Sequence, residues 1–165
     1  MKREVKLFIS YAHMNNRLAT SFLERIEQHL KASKRFQYQL WIDKGILCGQ
    51  DWKTEIDKQL SICDAALLLL SPAFLNSTFA IKEELPILKT GGKLIFPVAL
   101  HQLDFAYHDL QGIEEKQIFY LHSKDFNQPR SYYELKDKRR EEFALALFRQ
   151  IEDRLVRELT KEDVL

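Results

Sequence analysis

Hydrophobic runs of strand length alternate along the chain with helical patterns. VKLFISY (5–11) precedes apolar residues spaced three or four apart over 18–30, the pattern of an amphipathic helix. YQLWI (38–42) also leads into a helical pattern, and AALLLLS (65–71) follows it. This third run is apolar at every position but its last, as expected of a central parallel strand covered by helices on both faces.

The second half of the chain continues this alternation. KLIFPVAL (93–100) predicts a fourth strand, at an edge or a bulge because Pro97 withholds one donor, and IFYLH (118–122) predicts a fifth. Apolar residues recur every four positions over 143–155, which indicates a long terminal helix. These elements predict a mainly parallel α/β sheet of five strands with helices on both faces. We expect one domain over residues 1–165, because no repeat or linker divides the chain.

Composition excludes several classes of partner. The 25 basic and 24 acidic side chains nearly cancel, which argues against nucleic acid or an anionic membrane as a partner. No apolar run is long enough to cross a bilayer, and no signal peptide is recognisable, so we expect a cytoplasmic protein. Cys48 and Cys63 lack metal-ligand spacing, and the five histidines lack an HExxH or paired-cysteine context. We therefore expect no metal site.

The loops at the carboxyl ends of the predicted strands are where an open sheet of this kind binds ligands. They contain no GxGxxG, Walker or GxSxG motif. STFAIKEELP, after the third strand, places two adjacent acids, Glu83 and Glu84, near the start of a helix. By themselves, such acids often only complement the helix dipole.

Three longer segments carry a family resemblance. LFISYAHMNN, LWIDKGILCGQDWKTEI and DAALLLLSPAFLNSTFAIKEELPIL resemble, in order, the conserved blocks of bacterial Toll/interleukin-1 receptor (TIR) domains. The likeness covers roughly residues 4–100 and extends beyond them by length and by the terminal helix. It implies a flavodoxin-like, five-stranded parallel sheet. It also implies cleavage of the nicotinamide–ribose bond of NAD+, because many bacterial TIR domains catalyse that reaction.

The resemblance implies one catalytic glutamate after the third strand. The acid-Leu-Pro frame of EELP selects Glu84, whereas counting four residues from the aromatic Phe79 selects Glu83. Adjacent helical residues point about 100° apart, so both acids cannot face one cleft. We favour Glu84, because it lies nearer the side marked by Ile81 and Leu88.

A single carboxylate suits this chemistry. Nicotinamide leaves as a neutral amine and needs no acid, while the ribose becomes electron-deficient. A fixed anion that accepts hydrogen bonds from ribose hydroxyls stabilises such an oxocarbenium-like transition state. The second carboxyl of ordinary glycosidases is therefore not required.

The resemblance also implies binding positions and partners. The segment Lys44 to Gln50 resembles the BB loop, which in this family regulates access and packs against a neighbouring TIR domain. NAD+ is then the substrate and no cofactor is needed, while a separate effector or sensor protein would complete the system. The implied substrate-binding residues are Ser10, Tyr11, His13, Asp43, Trp52, Ser71 and Phe79.

Several alternatives stay open at this point. Trp52 at helical spacing fits a core position as well as a binding one, and Asp43 fits a loop cap. Water or the substrate's own atoms could capture the ribosyl cation, which gives ADP-ribose or a cyclic isomer. The enzymatic hypothesis fits bacterial antiphage defence. A non-enzymatic module that assembles through TIR–TIR contacts is the second hypothesis. A response regulator is excluded, because no acidic magnesium cluster follows the first strand.

Overall fold

The computed structural model describes residues 1–43, 49–77 and 80–164. For residues 49–52 and 160–164 it describes the backbone alone. The segment 44–48 and residues Thr78, Phe79 and Leu165 lie outside the described residues.

Four parallel strands form one sheet in the described residues: β1 (Arg3–Tyr11), β2 (Phe36–Asp43), β3 (Ala65–Leu70) and β4 (Leu94–Ala99). Their order across the sheet is β2-β1-β3-β4. The same described ranges contain five α-helices: α1 (Asn16–Lys31), α2 (Gly49–Ile62), α3 (Pro72–Leu75), α4 (Leu85–Thr90) and α5 (Asp137–Val164). The parallel α/β sheet and the long terminal helix are confirmed.

The central strand β3 is buried on both of its faces. Every residue from Ala65 to Leu70 is buried, and odd-numbered and even-numbered positions enter separate core clusters. Because side chains alternate along a strand, each cluster occupies one face of the sheet. An apolar run without alternation is what a strand between two helical layers requires.

Different helices cover the two faces. On one face α1 packs against α5. The Phe22 ring there makes edge-to-face contacts with Phe143 and Tyr132, at centroid distances of 6.1 Å and 5.5 Å. On the other, α2, α3 and α4 contribute buried residues such as Leu60, Phe74 and Leu88. We refer to these as the α1–α5 face and the α2–α4 face.

The prediction of a fifth strand over 118–122 is wrong: in the described residues this segment makes isolated bridges only, one of them to β4. Phe119 N–H donates to the Pro97 carbonyl at 2.8 Å, and Ala99 N–H donates to the Phe119 carbonyl at 2.9 Å. The chain then turns away, because Leu121 pairs with Arg130 instead of continuing along β4. Pro97 itself lies in β4, the last strand of the sheet, which agrees with the edge position predicted for it.

In the part of the chain that the structure describes, no helix combines the length and the apolar character that a membrane span needs.

Candidate active site

Two polar residues end neighbouring strands on the α2–α4 face. Phe8 and Trp41 stack on that face with ring centroids 5.2 Å apart. Ser10 and Asp43 follow two residues later on their strands, so they point to the same face, and the β1–β2 register pairs them directly. Both are almost fully buried, Ser10 with 2% and Asp43 with 3% of its surface exposed.

The segment before α4 brings Glu84 to this pair. Residues Ala80–Glu84 form a π-helical turn, a wider local winding that recurs at functional sites. Leu85 and Leu88 then anchor α4 in the core of the α2–α4 face. Glu84 is consequently 2% exposed, and it lies close enough to Asp43 and Ser10 for both to affect the pKa of its carboxyl.

The surroundings of Glu84 hold its carboxyl in an unusual state. Burial is the largest cause that raises the pKa of Glu84 well above its ordinary value, and the hydrogen bond to Asp43 and the charge of Asp43 add to it. Hydrogen bonding from the Ser10 hydroxyl has the opposite effect and lowers the pKa of that carboxyl. The Oε2 atom of Glu84 is buried and has no hydrogen-bond partner in the described structure. An unsatisfied buried carboxyl oxygen is costly and marks a place where a ligand could supply the missing donor.

Glu83 has a contrasting environment. Its side chain is 44% exposed, and one carboxylate oxygen lies 3.7 Å from the Lys53 ammonium on α2. Exposed pairs of this kind contribute little to stability. Of the two adjacent acids, Glu84 faces the interior and Glu83 faces solvent, which agrees with the expected packed side of this helix.

A second polar contact lies between β1 and β3, where the winding of the sheet reverses. Ser71 caps α3 by accepting from Phe74 N–H at 3.0 Å, and its hydroxyl donates to Asn15 Oδ1 at 2.6 Å. Ser71 is fully buried. Because the oxygen of the Asn15 amide faces the Ser71 hydroxyl, the nitrogen of that amide points away from it. The sequence analysis did not single out Asn15, which lies four residues after the end of β1.

Two other predicted binding residues lie apart from Glu84. Tyr11 belongs to the core of the α1–α5 face, and its hydroxyl donates to Asn16 Oδ1 at 2.9 Å. Burial, followed by the charge of Asp43, raises the pKa of Tyr11. His13 lies exposed in a 3₁₀ turn after β1. The structure therefore brings together Ser10, Asp43 and Glu84, but it does not bring Tyr11 or His13 into that contact.

The remaining predicted positions fall on segments that limit what can be stated. Phe79 and residues 44–48 of the BB-loop segment lie outside the described residues. Trp52 lies on α2, where the described structure is limited to its backbone. Across the described ranges, no three His, Cys, Asp or Glu side chains are grouped as metal ligands would be.

Comparison with known proteins defines the family. A search of curated proteins finds no match. A family model described as TIR domain matches residues 7–132, which includes the second half of β1, all of β2 to β4, and the residues Ser10, Asp43 and Glu84. Since the match spans well over half of the chain, the protein belongs to the TIR domain family.

Proposed function

We propose that the protein cleaves the nicotinamide–ribose bond of NAD+ and releases nicotinamide and either ADP-ribose or a cyclic isomer of it. The observation that carries this proposal is the buried Glu84 carboxyl at the carboxyl edge of the sheet, one oxygen of which has no hydrogen-bond partner among the residues that the structure describes. Ligands of open parallel sheets bind at this edge. Ribose hydroxyls are donors of the kind that Oε2 lacks.

Bond cleavage transfers an electron pair from the glycosidic bond to the nicotinamide nitrogen. Nicotinamide leaves as a neutral molecule, and positive charge develops on the ribose. The negative charge near Glu84 stabilises this charge more strongly in the transition state than in bound NAD+, which is the condition for acceleration. The burial of Glu84 strengthens the effect, because water does not screen the interaction.

The second step consumes the ribosyl cation. If water adds, its oxygen bonds to C1′ of the ribose. The carboxyl group of Glu84 accepts the proton that water releases, and the product is ADP-ribose. If an atom of the same substrate adds, a cyclic isomer forms. The choice depends on which nucleophile the occupied cleft holds nearest to C1′.

The biological setting is part of the same proposal. The resemblance to bacterial TIR proteins favours a cytoplasmic role in antiphage defence, with the nucleotide product as a signal to a separate effector. TIR domains commonly self-associate, and we propose that Lys44 to Gln50 contributes to that contact.

The test is release of nicotinamide from NAD+ by purified protein, followed by chromatography at low and high protein concentration. We expect Glu84→Ala to lower the rate by at least about 100-fold, the usual effect of removing a group that stabilises transition-state charge. Glu83→Ala, which removes an exposed carboxylate, should only weaken the rate. Mass analysis of the product then distinguishes hydrolysis from cyclisation.

Two outcomes would contradict the proposal. Undiminished release by Glu84→Ala would exclude Glu84 as the stabilising group. No release by the wild-type protein, even when concentrated and assembled, would favour a module that acts only through TIR–TIR contacts.

A further inference from the structure

A cavity of about 250 Å³ opens on the α2–α4 face, between the first two strands and the end of α2. Two directly paired positions of the β1–β2 register form its floor, Lys6 with Gln39 and Phe8 with Trp41. Because side chains alternate along a strand, all four point to the same face as one another. The floor of the cavity therefore has a polar half and an aromatic half.

The last turn of α2 and the residue after it form a wall of this cavity. Gln59, Ile62 and Cys63 line it there. Cys63 is 3% exposed and belongs to the core, whereas Ile62 is 39% exposed. The cavity is thus closed by the core at Cys63 and open to solvent at Ile62.

This cavity is separate from the candidate active site. Ser10 and Asp43 lie two positions beyond the Phe8–Trp41 stack, which is about 7 Å along the strands, and they lie about 13 Å beyond the polar half of the floor. Phe8 is fully buried and stacks on Trp41 with ring centroids 5.2 Å apart, so this pair of rings stands between the two places.

The lining of the cavity combines one cation with amides and an aromatic ring. Among the described residues that line it, Lys6 alone is charged, and the ion pairs of the described residues do not include Lys6. Asp64 accepts from Lys6 N–H at 2.8 Å, but it does so on the β3 side of β1, away from β2. Gln59 Nε2 donates to Glu55 at 2.9 Å, which holds that amide in place.

We propose that this cavity is a second ligand site, which binds a small molecule that carries an aromatic ring and a carboxylate. The ring lies against Trp41, and the carboxylate accepts from the Lys6 ammonium and the Gln39 amide. Charge-assisted hydrogen bonds of this kind are stronger than neutral ones. Sites for drug-sized ligands begin at about 300 Å³, so this cavity suits a ligand of one or two fused rings. The site is independent of NAD+ cleavage, because its lining includes none of the residues assigned to that reaction.

Calorimetric titration with indoleacetate tests this site, and indoleacetamide is the neutral probe of the same shape. At low ionic strength we expect a dissociation constant of about 1 mM or below for indoleacetate and at least about 10-fold weaker binding of indoleacetamide. Lys6→Met keeps the length of the side chain and removes its charge, so it should weaken indoleacetate binding about 10-fold and leave indoleacetamide unchanged. Lys58→Met is the matched control, since Lys58 is exposed on α2 but outside the lining, and it should bind both probes as the wild type does.

Two further variants locate the bound probe. Gln39→Glu places a carboxylate directly opposite Lys6 and should weaken indoleacetate binding at least about 10-fold. Both Lys6 and Gln39 are exposed, so their replacements should leave the fold intact. Glu84→Gln, which changes the candidate active site, should bind indoleacetate as the wild type does.

Three outcomes would overturn the second site. The first is no binding of indoleacetate at concentrations up to about 10 mM. The second is equal affinity for the two probes, or unchanged indoleacetate affinity in Lys6→Met, because the cavity would then not select an anion. The third is loss of binding in Glu84→Gln with retention in Lys6→Met, which would place the probe in the candidate active site. Failure of the proposed NAD+ cleavage would appear instead as absent nicotinamide release and would leave these binding results unchanged.

Discussion

Replacing Glu84 by glutamine should make the protein more stable at neutral pH. The raised pKa of Glu84 means that the folded protein keeps a proton there at pH values where the unfolded chain, with an ordinary glutamate near 4.5, has lost it. The folded state then binds more protons than the unfolded state, so the free energy of unfolding falls as pH rises. This fall begins above the ordinary pKa of glutamate and ends above the raised pKa.

The magnitude follows from this one proton. Within that pH window, one site that is protonated when folded and ionised when unfolded lowers the free energy of unfolding by about 1.4 kcal/mol per pH unit. For a chain of this length, that slope corresponds to about 3–6 °C in Tm per pH unit. Solvent screening does not reduce it much, because Glu84 is 2% exposed. Glutamine has nearly the same shape, can donate to Asp43 and does not titrate.

The assay is urea denaturation of wild type, Glu84→Gln and Glu83→Gln over a series of pH values. We expect the stability difference between Glu84→Gln and wild type to grow with pH at up to the slope given above. Glu83→Gln should follow the wild-type curve within about 0.5 kcal/mol, because its carboxylate is exposed and weakly paired. Parallel curves for wild type and Glu84→Gln would show that the Glu84 carboxyl carries no extra proton, and would refute the reasoning.

Two further predictions concern the folded core. Glu152, a buried acid of α5, accepts from Ser33 Oγ at 2.6 Å and from the Tyr38 hydroxyl at 2.5 Å, so Glu152→Ala should lower the free energy of unfolding by about 1.5–3 kcal/mol for each bond lost. Asp153→Ala, at the exposed neighbour, is the control, and an equally small effect of both changes in urea denaturation would contradict this. Leu68→Ala, in the buried centre of β3, should cost about 2–5 kcal/mol in the same assay, and a loss below about 1 kcal/mol would mean that the site collapses around the change.

Local sequence pattern was sufficient to predict the layers of the fold. The uninterrupted apolar run of β3 predicted burial on both faces, and the spacing of apolar residues predicted α1 and α5. These features depend on the period of the pattern, which is a property of each element alone. The fifth strand was different, because IFYLH has the composition of a strand but leaves β4 after one bridge. Whether a segment continues along its neighbour depends on the path of the following chain.

The site was only partly predictable for a related reason. Helical spacing placed Glu84 nearer the packed side than Glu83, and the burial of Glu84 agrees with this, while its catalytic role stays a prediction. The contact between Glu84 and Asp43 joins residues far apart in the chain, and it depends on the β1–β2 register and on where α4 packs. No local pattern specifies those two quantities. The link between Asn15 and Ser71 was missed on the same ground.

The helix α5 belongs to the folded core although it lies outside the matched TIR region. The matched TIR region ends at residue 132, and α5 begins afterwards at Asp137. Yet Phe143, Leu147 and Ile151 of this helix are fully buried against α1 and the sheet. A chain shortened to the matched region would leave that apolar layer open to water and prone to aggregate. Boundaries drawn from family similarity alone would therefore cut through the hydrophobic interior of this protein.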